Sequence, residues 1–113
     1  MEFVETAVFT SRISRLGLED ALRDLQLSIN ANPRVGAVDA GTGGLLKVRM
    51  ADPGRGKGKR GGARVHYLHV PQRNRVYLVF VYSKDEHEAL SPEQKRRLRP
   101  LVEALKQEAS RRE

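Results

Sequence analysis

The order of apolar periodicities along this chain predicts an α+β fold, read as β-α-α-β-β-β-α: an N-terminal strand and a helical hairpin packed on a small, mainly antiparallel sheet, closed by a C-terminal helix. Three observations carry that prediction. Leu18, Ala21, Leu22, Leu25 and Ile29 fall at i, i+3, i+4, i+7 and i+11, one stripe of a helix. Three β-type runs at 45–50, 63–70 and 75–84 then follow one another, as in successive antiparallel neighbours. Finally, Ser91-Pro92-Glu93-Gln94 opens a second helical repeat. With 113 residues, 39% hydrophobic and 31% charged, a single domain over 1–113 is what the length predicts.

Taken in order, 3–9 (FVETAVF) is rich in β-branched and aromatic residues and reads as the first strand. Thr10 is placed to cap a short helix through Leu16, and Gly17 separates it from the helix that carries the stripe. Asn32-Pro33 ends that second helix, because a residue before proline is pushed out of the α region. The connector 33–44 leads into LLKVRM (45–50), where Leu46, Val48 and Met50 point one way and Lys47 and Arg49 the other. A long glycine-rich hairpin loop follows. In ARVHYLHV (63–70), Arg64, His66, Leu68 and Val70 share a side, and after a turn at Pro71–Asn74 the run 75–84 is apolar enough to lie inside the sheet, with Tyr82 and Lys84 on one face. In the last helix Ser91 caps, Pro92 takes the first helical position and Gln94 closes a capping box. Leu98, Leu101, Val102, Leu105 and Ala109 keep helical spacing, while Pro100, which lacks an N–H, predicts a kink or break near Arg99.

The net charge of +7 is unevenly placed. Residues 1–46 carry four basic and six acidic groups, 47–84 ten and one, and 85–113 seven and seven, so the excess lies in the middle third. Its centre is GRGKGKRGGARVHY (54–67), with five glycines, five basic residues and no acid. Glycine lets the backbone approach a ligand, and clustered cations attract phosphate, so this stretch predicts a polyanion-binding face. The absence of cysteine excludes disulfides, thiolate nucleophiles and Cys-ligated zinc, and fits a reducing cytoplasm. No apolar run reaches the ~20 residues of a membrane span, and the N-terminus lacks an export signal pattern, so neither a membrane nor export is expected.

Other chemistries fit less well. Gly56, Gly58 and Gly61 have the spacing G-x-G-x-x-G, but a strand follows where a dinucleotide site needs a helix. No GK[ST] supplies a P-loop. His66 and His69 point to opposite faces of one strand and have no Cys partner, so no metal site is predicted. Lys47, Arg49, Arg64 and Lys84 stand apart from the loop cations, because strand neighbours aim a side chain at a defined place. His66 shares a face with Arg64 and is a candidate for phosphate contact or proton transfer, and Tyr67 and Tyr82 are candidates for stacking on bases.

GTGGLLKVR (41–49), DPGRGKGKRGGARVHY (52–67) and VYSKDE (81–86), in this order of elements, resemble the RelE/ParE superfamily of bacterial toxins. Within it the HigB-like branch is the best match, since a G-T-G-G, a K-x-R strand and a G-K-R-G-G-x-R-V segment recur there. The resemblance runs nearly end to end. It implies a RelE-like fold and a toxin of a type II toxin–antitoxin system that cleaves mRNA on the ribosome without a cofactor. The implied partners are the ribosome, mRNA and a cognate antitoxin of helix-turn-helix type, which covers the basic face or displaces the C-terminal helix. A neighbouring ParE branch poisons DNA gyrase and is no nuclease, so a non-catalytic binder is the alternative.

For this sequence the resemblance implies a catalytic set of Lys47, Arg49, Arg64, Lys84 and Tyr82. In it Arg64 clamps the scissile phosphate, and Lys47 and Arg49 neutralise it or shift protons. Arg55, Lys57, Lys59, Arg60, His66 and Tyr67 are the implied RNA-binding residues. The chain departs from the pattern at Leu46, where the branch often has a base, at Asp85, where RelE has arginine, and at His66, where an aliphatic residue is usual. A tyrosine that RelE carries slightly further on has no counterpart in 88–91.

Overall fold

The computed structural model describes residues 1–52 and 62–111. Among them it has β1 (Glu2–Glu5), α1 (Ala7–Leu16), α2 (Glu19–Ala31), β2 (Ala37–Val38), β3 (Leu46–Met50), β4 (Ala63–Val70), β5 (Arg75–Ser83) and α3 (Pro92–Ser110). The strands form one five-stranded sheet in the order β1-β5-β4-β3-β2. β1 runs parallel to β5 and the other neighbours are antiparallel, which is the mainly antiparallel α+β fold read from the sequence, with β2 as an added edge strand. Among the described residues no helix is long and apolar enough to cross a membrane.

The first element needs correction. The strand read over 3–9 ends at Glu5, and the helix starts at Ala7 with Thr6, not Thr10, as its cap. The Thr6 hydroxyl accepts the Phe9 N–H at 3.1 Å, and Phe9 and Ile13, four residues apart, are buried beneath the helix. Burial of that stripe overrides the β preference of the local sequence. Gly17, at φ 68°, then stops α1: its N–H reaches Ser14 O and the Leu18 N–H reaches Ile13 O, a Schellman closure.

Two apolar layers sandwich the sheet. Phe9, Ile13, Leu22, Leu25 and Ile29 of the hairpin pack on Leu46, Met50, Val65, Tyr67 and Leu78. On the opposite face Leu98, Val102 and Ala109 of α3 pack on Leu68, Val70, Tyr77 and Val79. α3 runs unbroken through Pro100, contrary to a break near Arg99. Pro100 is exposed, and buried Leu98 and Val102 on either side hold the helix to the sheet.

A bulge in β5 decides what faces the site. His66 pairs with Phe80 but Tyr67 pairs with Leu78, which leaves Val79 as an extra residue. Tyr77 and Tyr82 are five apart, an odd spacing that in a regular strand puts them on opposite faces. The extra residue brings both onto the α3 face.

Candidate functional site

α3 covers only part of its face of the sheet. The remainder is an open cleft of about 400 Å³ lined by Ala37, Lys47, Arg49, Arg64, Lys84 and Glu88. The sheet explains the convergence. Arg49 of β3 lies directly opposite Arg64 of β4, which in turn lies opposite Tyr82 of β5, and Lys47 lies opposite His66. Directly paired residues share a face, so alternation along β3 and β4 delivers Lys47, Arg49 and Arg64 to one surface. Arg64 is 7% exposed, and one guanidinium nitrogen donates to Ala63 O at 3.2 Å.

The other wall is the turn after β5. The Lys84 N–H bonds to Gly62 O at 3.0 Å, closing the β4–β5 ladder. Glu86 then fixes the turn: its carboxylate accepts the Ser83 N–H at 2.9 Å and the Arg12 guanidinium of α1 at 2.7 Å. Burial pushes the Glu86 carboxyl up, but these two donors outweigh it and hold the group below the usual carboxylate value. Lys84 and Glu88, both exposed, are carried on that turn.

Four of the five residues read as catalytic therefore meet in one cleft. Tyr82 does not line it. It is on the same face of the sheet as its partner Arg64 but fully buried, stacked on His66 at 5.8 Å between ring centroids and edge-on to His87 at 5.6 Å. The residues read as RNA-binding also need correction. Tyr67 is 0% exposed, and its hydroxyl donates to Pro33 O and accepts the Gly36 N–H, so it is a core residue that ties the connector to the sheet and has no face for a base. His66 is likewise fully buried and cannot touch a phosphate. Arg55, Lys57, Lys59 and Arg60, with the hairpin loop expected from the sequence, fall outside the described residues.

Sequence reasoning missed what His66 binds. Its Nε2 lies 2.7 Å from Asp39 Oδ2, while Asp39 Oδ1 accepts the Lys95 ammonium of α3 at 2.8 Å. Burial drives the His66 pKa down, and Lys47 and Lys95 add to this against the pull of Asp39. Burial alone raises the Asp39 carboxyl, but the bonds from Lys95 and His66 leave it net lowered. The pair is thus a neutral imidazole on an ionised carboxylate. The loop that carries Asp39 explains GTGG: Gly41, Gly43 and Gly44 have φ of 84°, 85° and 112°, a region costly to other residues. Buried Thr42 bonds both Asp39 O and the Leu45 N–H, and Lys106 of α3 donates to Gly43 O at 2.5 Å. The motif is a clamp for α3 and the Asp39 carboxylate, and the aspartate two residues before its first glycine was the available signal.

The comparison to known families agrees with this fold. A family model described as the RelE toxin of the RelE / RelB toxin-antitoxin system matches residues 6–112. That span takes in every element after β1, and the chain therefore belongs to the RelE family, as the toxin of a toxin–antitoxin system with an antitoxin for a partner.

Proposed function

We propose that this toxin is a ribosome-dependent endoribonuclease of the HigB-like branch, which cuts mRNA during translation in the cytoplasm until a cognate antitoxin of helix-turn-helix type restrains it. The observation that supports this is the convergence of Lys47, Arg49, Arg64 and Lys84, from three separate segments, on one open cleft. Attack of an RNA 2′-hydroxyl on the adjacent phosphorus adds negative charge to the phosphate oxygens. Fixed cations aimed at that charge are worth ~3–4 kcal/mol per group in comparable sites. Arg64, on the strand between β3 and β5 and held by its neighbours, clamps the phosphate. Arg49 beside it neutralises developing charge, and the two lysines supply further charge and protons. The loop cations Arg55, Lys57, Lys59 and Arg60 hold RNA backbone.

The test is primer-extension mapping of mRNA ends in a translating extract, with and without ribosomes, for wild type and Arg64→Ala. Cuts that require ribosomes and fall by about 10²–10³ in rate in the variant are expected. Growth arrest on expression with no cuts from wild type would move the toxin to the non-catalytic, gyrase-binding class.

A further inference from the structure

The geometry points to Glu88 as the proton acceptor of the cleavage reaction, with Lys47 across the cleft as its proton donor. This rests on the ribonuclease reading above. Cleavage by the 2′-hydroxyl requires a group that accepts its proton, and the cleft offers few. Of the six lining residues, Ala37 has no acceptor, and the lysine and arginine side chains present only N–H donors. The tyrosines and His66 are no substitute, since Tyr67, Tyr82 and His66 are 0% exposed. The loop 53–61 contains only Pro, Gly, Lys and Arg, so it supplies no carboxylate or imidazole either. Among the described residues that line the cleft, Glu88 is what remains.

Its surroundings suit the task. The side chain is exposed, and no hydrogen bond or ion pair engages it among the described residues, so both carboxylate oxygens are available to a substrate. An acid in a cleft built to attract phosphate weakens phosphate binding, and its presence there is accounted for by proton transfer. The sheet order also separates base from acid. Glu88 follows β5, Arg64 stands on β4, and Lys47 stands on β3. In-line displacement needs the attacking and leaving oxygens on opposite sides of phosphorus, and with the phosphate clamped at Arg64 the two walls meet that need. In the step, the Glu88 carboxylate takes the 2′-hydroxyl proton as the 2′-oxygen bonds to phosphorus. The bond from phosphorus to the 5′-oxygen breaks, and that oxygen takes a proton from the Lys47 ammonium. The products are a 2′,3′-cyclic phosphate and a 5′-hydroxyl. Glu88 then releases its proton to water and Lys47 regains one.

Two measurements on the full chain test this. The first is single-turnover cleavage of mRNA on stalled ribosomes by wild type, Glu88→Gln and Glu88→Asp. The second is affinity for an oligonucleotide of the same sequence with a 2′-deoxy residue at the cut, which binds and cannot react. Glu88→Gln should cut about 10²–10⁴ more slowly while it binds the deoxy oligonucleotide as tightly as wild type or more tightly, since a negative charge has left the cleft. Glu88→Asp should recover part of the rate. Glu88→Gln cutting within twofold of wild type overturns the assignment, as does equal loss of binding and rate. Wild type that binds the oligonucleotide and never cuts overturns the ribonuclease reading itself, and Glu88 as a base with it.

Discussion

At the scale of single residues, His66 shows how a group of unremarkable spacing becomes consequential once buried. Its imidazole is held neutral in the core, and Asp39 is held ionised. Both groups have folded pKa values below their unfolded ones, so the unfolded chain binds more protons as the pH falls. Their contribution to stability is complete above about pH 6.5, the ordinary histidine value, and declines as pH drops through the lowered one. Wild type should therefore lose urea resistance from pH 7 to pH 5, and His66→Asn should lose less across the same interval, whatever its stability at pH 7. Parallel urea midpoints for the two proteins would show that His66 does not titrate on unfolding. The cleft cations were legible from the sequence because strand alternation is a local rule that places Lys47, Arg49 and Arg64 without knowledge of anything distant. The burial of His66, Tyr67 and Tyr82 was not, since it depends on partners 27 to 34 residues away for His66 and Tyr67 and on a bulge in β5 for Tyr82.

At the scale of elements, the helices were legible where their ends carry chemistry. In α3 the Gln94 N–H bonds Ser91 Oγ at 3.1 Å and Gln94 Oε1 accepts the Ser91 N–H at 2.8 Å, the reciprocal box read from Ser-Pro-Glu-Gln. α1 was misplaced because Thr6 sits inside a β-branched run, and what distinguishes cap from strand there is the burial of Phe9 and Ile13. Such burial also secures the edge of β5 where β1 ends, with Thr6 Oγ1 donating to Val79 O at 2.8 Å and Arg12 Nε to Val81 O at 2.6 Å. The Ser91 box is exposed, so its removal opens no cavity and isolates the capping effect. Ser91→Ala should cost about 1 kcal/mol, read as a lower urea midpoint with unchanged slope, and Ser91→Asp should restore most of it. An unshifted midpoint in Ser91→Ala would show that side-chain packing of Leu98 and Val102 alone holds this end.

At the scale of the whole molecule, charge is segregated along the chain and then concentrated by the fold. Residues 47–84 hold ten basic groups and one acid, and the sheet turns three of those cations, with Lys84, toward one cleft. The remaining basic cluster, Arg55, Lys57, Lys59 and Arg60, lies in the sequence between the two strands that carry Lys47, Arg49 and Arg64. Geometry and field divide the work between these groups. A cation that sits on the reacting phosphate changes the rate, whereas one that sits on flanking backbone changes occupancy and its salt dependence. For single-stranded nucleic acid each neutralised phosphate contributes about −0.7 to the slope of log K against log salt. Four cleft cations alone thus give a slope of about −3, and the four loop cations at most double it. Replacing Arg55, Lys57, Lys59 and Arg60 together by glutamine should weaken binding of the non-reactive oligonucleotide at low salt and flatten its slope by as much as about 3, with single-turnover cutting at saturation changed little. Arg64→Ala should do the reverse, removing most of the rate and no more than one phosphate's share of the slope, about 0.7. If the loop variant keeps the wild-type slope, the loop does not touch RNA backbone, and the polyanion face of this toxin is the cleft alone.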